Sequence, residues 1–231
     1  PDILVVLNQN LDIFVPVTSN EKNNSLSSSR ADIDNLIIVS KVPEKEMSEA
    51  IIHEVSHVIL NKLNLIKPFA VNHDKVFYSP FRNDPRHGLG LLHAAYSFLN
   101  VSIFLNELYF KEQRLKIWSK YKLSDYLFNA LFCVEVLIKN NSVLSKFGYQ
   151  ICKDIKLRLM KIYESHEFEI LEDHYNEKKQ HFKDWLKENQ SNQSFKLTFS
   201  KIMSKLKIVK KFREEIILEF KISKTNFYSF N

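Results

Sequence analysis

The chain has 231 residues, 45% of them hydrophobic and 26% charged, with a formal net charge of +6. That length supports a domain with a core of its own, and the ordinary apolar content excludes fibrous, collagen-like and fully disordered classes. No unbroken apolar run reaches the roughly 18 residues of a membrane span, so no membrane partner is expected. The two cysteines, Cys133 and Cys152, lie in helical-looking stretches without metal-type spacing. They read as free thiols of a reducing cytosol. The start at Pro1, with neither Met nor a basic leader, suggests residues upstream of this numbering.

In chain order, Ile3-Leu4-Val5-Val6-Leu7 and Ile13-Phe14-Val15 are short apolar runs that read as strands. A polar loop rich in Ser and Asn follows from Thr18 to Arg30, and Leu36-Ile37-Ile38-Val39 is a third strand. The period then changes. Pro43 suits the first turn of a helix and Glu44 and Glu46 suit its positive end. That helix should run to about Asn64. An irregular stretch from Lys67 to Gly90 holds Pro68, Pro80 and Pro85, with a short strand at Val76-Phe77-Tyr78. A second helix begins near Leu89 and continues through Leu105. Beyond Lys111 the pattern is amphipathic helix: Ser124 to Lys139, Val143 to Tyr163, Glu167 to Asn189, and a tail with nine Lys or Arg against three Glu between Lys196 and Lys224. That tail reads as a helix with a solvated basic face, and no nucleic-acid motif accompanies it.

The fold expected is therefore α+β and predominantly helical. A small N-terminal sheet and two metal-binding helices form a catalytic core over residues 1–110. A helical region over 111–231 packs on it and ends in the basic helix.

His53-Glu54-Val55-Ser56-His57 is a His-Glu-x-x-His motif, expected by chance only about 0.02 times in this composition. On a helix, residues i and i+4 share a face, so His53 and His57 can grip one cation from one side. Glu54 stands beside the ion without having to bind it. A third ligand must come from elsewhere: His73, His87, His93 or a later acidic residue. His93 is the best candidate, because it interrupts an apolar helix where a polar group without a partner would be costly. Two arginines, Arg82 and Arg86, precede that helix. Each carries a planar fork matched to a carboxylate, as a carboxylate-bearing co-substrate near a metal would require. Gly88 and Gly90, two of only three glycines, mark a backbone expected to turn or approach tightly.

Three segments together resemble a known family: His53-Glu54-Val55-Ser56-His57, then Tyr78-Ser79-Pro80-Phe81-Arg82-Asn83-Asp84-Pro85-Arg86, then Gly90-Leu91-Leu92-His93-Ala94-Ala95-Tyr96. The pattern is similar to that of the HExxH-type 2-oxoglutarate-dependent peptide β-hydroxylases, which act on ribosomally made peptides and were first taken for metallopeptidases. Ser27-Ser28-Ser29 and Ile37-Ile38-Val39-Ser40 also resemble that family's Ser-rich segment and following strand. The resemblance covers roughly residues 27 to 105. It departs at His87, where the family usually has Pro, and in lacking the helical region that usually precedes the Ser-rich segment, which suggests an upstream region or a partner protein.

The resemblance implies an iron(II) dioxygenase with 2-oxoglutarate as co-substrate, which hydroxylates a side-chain Cβ of a precursor peptide. His53, His57 and His93 would be the metal ligands. Arg86, with Arg82 as second choice, would pair the distal carboxylate of 2-oxoglutarate, and Glu54 would orient a ligand or water. The rival reading is a zinc peptidase with the same ligands and Glu54 as general base. A third is a catalytically silent peptide-binding subunit with a structural metal. His166, His174 and His181, among Glu167, Glu169, Glu172 and Asp173, read as a solvated helix face.

Overall fold

The computed structural model describes residues 3–18, 27–72, 74–166 and 172–189. His73 and the basic tail anticipated after Lys196 lie outside them. The first element, α1 (Ile3–Asn10), is a helix where the apolar run reads as a strand. Short apolar runs do not distinguish the two by period. What decides is that Leu7 and Leu11, one helical turn apart, both pack on the small core formed by Ile37, Val39, Val55 and Val58. Asn10 closes the helix by donating from Nδ2 to Val6 O at 2.9 Å.

Strands β1 (Ile13–Val17), β2 (Ser27–Ser29) and β3 (Leu36–Ser40) form one sheet in the order β1-β3-β2. β1 runs parallel to β3, with Ile13 opposite Leu36, and β2 runs antiparallel, with Ser28 opposite Ile38. β2 falls inside the stretch read as loop. Its all-serine sequence carries no apolar alternation, so only pairing with β3 makes it a strand. Asn35 enters β3 at φ 57°, a left-handed position that Asn tolerates well. Its carbonyl takes the N–H groups of Asp12 and Ile13 and so sets the register of β1.

α2 (Glu44–Ile66) lays Val55 and Val58 on Ile37 and Val39 of the central strand. A short hairpin of β4 (Val76–Phe77) and β5 (Arg86–His87) leads directly into α3 (Gly88–Lys111). α4 (Lys116–Lys139), α5 (Lys146–Ser165) and α6 (Glu172–Glu188) complete the described chain. The protein is thus α+β and predominantly helical. One hydrophobic core runs across residue 110: Leu91, Leu92 and Val101 of α3, Leu123 and Phe128 of α4, Ile155 and Leu159 of α5 and Trp185 of α6 all belong to it.

α3 is long and apolar enough to cross a membrane, with a mean hydropathy of 1.5. Ser97, Asn100 and Ser102 interrupt its apolar run. Here it packs between α2 and α4 with Leu91, Leu92, Ala95 and Leu105 wholly buried.

Gly88 makes the tight approach expected of it, since a Cβ there would stand 3.0 Å from Val143 Cγ2, but Gly90 does not. A Cβ on Gly90 would meet only the Arg86 side chain, at an ordinary 3.6 Å. The demanding glycine is Gly148, where a Cβ would stand 2.1 Å from Phe69 O. Ser145 caps α5 there, accepting from Gly148 N at 3.0 Å and donating to Pro68 O at 2.7 Å. α5 therefore starts hard against the loop that leaves α2.

Candidate metal centre

The spacing of the motif is realised on α2. His53 and His57 sit one turn apart, and their Nε2 atoms face each other at 3.1 Å. α3 crosses beside α2 and brings His93 to His57, Nδ1 to Nδ1 at 3.0 Å. The two helices are tied near this crossing by Asn100, whose Nδ2 donates to Ser56 Oγ at 3.0 Å. Ser56 in turn donates to Ile52 O. Neither Ser56 nor Asn100 was singled out from sequence, since a serine and an asparagine on helices carry no spacing signal.

Burial holds all three imidazoles neutral. It pushes His53 and His93 down to about 4, and His57 down to about 2 with help from its two histidine neighbours. A neutral imidazole keeps a lone pair for a metal. Among the described residues, no three His, Cys, Asp or Glu side chains stand with their donors arranged for one ion. His57 gives the reason: it faces His53 with Nε2 and His93 with Nδ1, and one imidazole offers an ion only one nitrogen. The Nε2 pair fits a shared cation. A proton on His57 Nδ1, donated to His93, would keep that Nε2 lone pair available.

Glu54 is 4% exposed. Its Oε1 accepts from Ser27 Oγ at 2.7 Å and its Oε2 from Ser29 Oγ at 2.9 Å. Burial raises its pKa and the two serine hydroxyls oppose that shift. The serine segment, noticed only as a resemblance, thus has a physical role: β2 holds both oxygens of the motif glutamate.

These groups share a cavity of about 680 Å³, lined by His53, Glu54, His57, His93, Arg82 and Arg86 among others. The two arginines flank Asp84. Arg82 Nε reaches Asp84 Oδ1 at 3.1 Å, and Arg86 Nε reaches Oδ2 at 3.2 Å. An arginine tethered through Nε has a second edge to offer a ligand. Phe98 forms one wall, edge-on to His53 at 4.7 Å between ring centroids, and Phe81 stacks on it at 4.0 Å. Phe81 lies in the segment that carries the resemblance, whereas Phe98 had no sequence signal of its own. His87 is exposed and outside the cavity lining.

The later histidines do not form a solvated face. His166 and His174 are buried, 8% and 2% exposed. His166 bonds Asn106 through Nε2 and lies against Tyr109 and Phe110. His181 is half-buried between Tyr78 and Asn83. The acidic residues around them disguise helix faces that dock on the core. No protein-family model matches the chain, and no curated protein matches it.

Proposed function

We propose that the chain is an iron(II)- and 2-oxoglutarate-dependent hydroxylase acting on a side-chain Cβ of a ribosomally made peptide in a reducing cytosol. The observation that carries this reading is one cavity shared by three neutral histidines and two arginines. The donor types suit iron: the facing Nε2 atoms of His53 and His57 would hold the ion, and His93, the proposed third ligand, would have to release His57 Nδ1 to join them. When bound, iron(II) with 2-oxoglutarate and dioxygen supplies the oxidation of a C–H bond to an alcohol, with succinate and carbon dioxide as co-products.

The chain's own residues do the rest. Arg86 and Arg82 attract and orient the distal carboxylate of 2-oxoglutarate, and Asp84 keeps their guanidinium groups at the cavity. Phe98 and Phe81 wall the His53 side of the cavity with apolar surface and limit water there. Glu54, fixed by Ser27 and Ser29, supports the helix face that carries the ligands. The zinc-peptidase reading asks Glu54 to take a proton from water; each of its oxygens accepts one serine hydroxyl and keeps a further acceptor site, so a direct test at Glu54 separates the two readings. Cys133 and Cys152 are buried free thiols, which suits a reducing compartment.

The test is incubation with iron(II), 2-oxoglutarate, ascorbate and a candidate peptide. The expected result is a gain of one oxygen, about 16 Da, stoichiometric with succinate. Zinc-dependent cleavage indifferent to 2-oxoglutarate would overturn it. Glu54→Gln discriminates again: a hydroxylase keeps partial activity, whereas a peptidase loses nearly all of it.

A further inference from the structure

We infer that α6 is a brace for the arginine-bearing loop, with His181 as the positioning residue that fixes this loop over the cavity. The loop joins β4 to β5 and carries Phe81, Arg82, Asn83 and Asp84. Its own bonds are few and local: Arg82 N to Ser79 O at 3.3 Å, Phe81 N to Ser79 Oγ at 3.4 Å and Arg82 Nε to Asp84 Oδ1 at 3.1 Å, none of which ties the loop to another element. A hairpin loop of this length loses much conformational entropy when ordered, so two-residue strands hold it poorly alone.

α6 supplies what the hairpin lacks. His181 spans the loop with both ring nitrogens: Nδ1 meets Tyr78 Oη at 2.8 Å and Nε2 meets Asn83 Oδ1 at 3.0 Å. An amide oxygen only accepts, so His181 Nε2 carries the proton, and Tyr78 Oη donates to Nδ1. One neutral tautomer satisfies both bonds. Asn189 adds a third, donating from Nδ2 to Asn83 O at 3.0 Å. Tyr78 is locked by aromatic contacts from Phe182 at 4.9 Å, Trp185 at 5.4 Å and Phe132 of α4 at 5.5 Å. The bridge thus grips the loop at Tyr78, where it begins, and at Asn83, between the two arginines' shared anchor Asp84 and Arg82. The consequence for co-substrate binding rests on the function proposed above; the bracing does not.

The experiment is hydrogen–deuterium exchange on the full chain, comparing wild type with His181→Ala and Asn83→Ala. Asn83 is exposed, so its replacement leaves folding intact. Both variants should exchange about tenfold faster over residues 79–87, with α3 and α4 unchanged. His181→Gln presents one donor and one acceptor and should restore protection. Unchanged exchange over 79–87 in Asn83→Ala would overturn the brace. Under anaerobic iron(II), the 2-oxoglutarate dissociation constant should rise about tenfold in both variants and recover in His181→Gln, because each loses about one hydrogen bond or two. Equal affinity in wild type and variants would overturn the positioning role. A wild type that binds no 2-oxoglutarate would defeat the proposed function instead, and the exchange data would still decide the brace.

Discussion

His57 on α2 and His93 on α3 meet through their Nδ1 atoms at 3.0 Å, 36 residues apart in sequence. This contact joins the motif helix to the next helix, beside the His53–His57 pair proposed to hold a metal.

His53→Ala and His57→Ala should each abolish metal retention, because they remove the Nε2 pair. His93→Ala should weaken retention by about 10- to 100-fold, whether it removes a ligand or the partner that orients His57. Metal content after iron loading and desalting is the measurement. Full retention and turnover in His93→Ala would remove it from the site.

Arg86→Lys should raise the 2-oxoglutarate dissociation constant about tenfold or more, since a lysine lacks the bidentate fork. Arg82→Lys should cost less, because Arg82 is the more exposed of the two, 57% against 37%. Anaerobic titration reads both. Unchanged affinity in both variants would separate the arginines from the co-substrate.

Gly148→Ala should destabilise the protein by about 1–3 kcal/mol or more, the usual range for overpacking, because the new methyl would stand 2.1 Å from Phe69 O. Gly90→Ala should be tolerated or mildly stabilising, since its site has ordinary room in a helix. Thermal melts compare the two.

His166 predicts an acid response. Burial, reinforced by Lys120, lowers it to about 4 from 6.5. Between those values the unfolded chain binds a proton that the folded chain does not. Stability is therefore intact above pH 6.5 and falls as pH drops from 6.5 to about 4. His166→Gln keeps a donor for Asn106 and should lessen the slope of the Tm-against-pH curve there, while the likewise depressed His53 and His93 keep their share. An identical slope would refute the assignment.

The histidine face of α2 was legible because helical spacing alone puts His53 and His57 together, and β3 because Ile37 and Val39 alternate inward. The class of fold followed from the change of period at Pro43 and the helical patterns beyond it. Other features had no local signal. The α1 segment is helical because Leu7 and Leu11 find the α2–β3 core, and β2 is a strand because β3 pairs with it. Ser27 and Ser29 acquire meaning only across the fold, against Glu54 25 to 27 residues away. His181 looks like one polar residue on a charged helix until Asn83 and Tyr78, about a hundred residues earlier, fill both its ring nitrogens. Periodicity reports which face of an element is apolar. Which polar groups meet depends on packing between elements distant in sequence, and only the tertiary structure decides that.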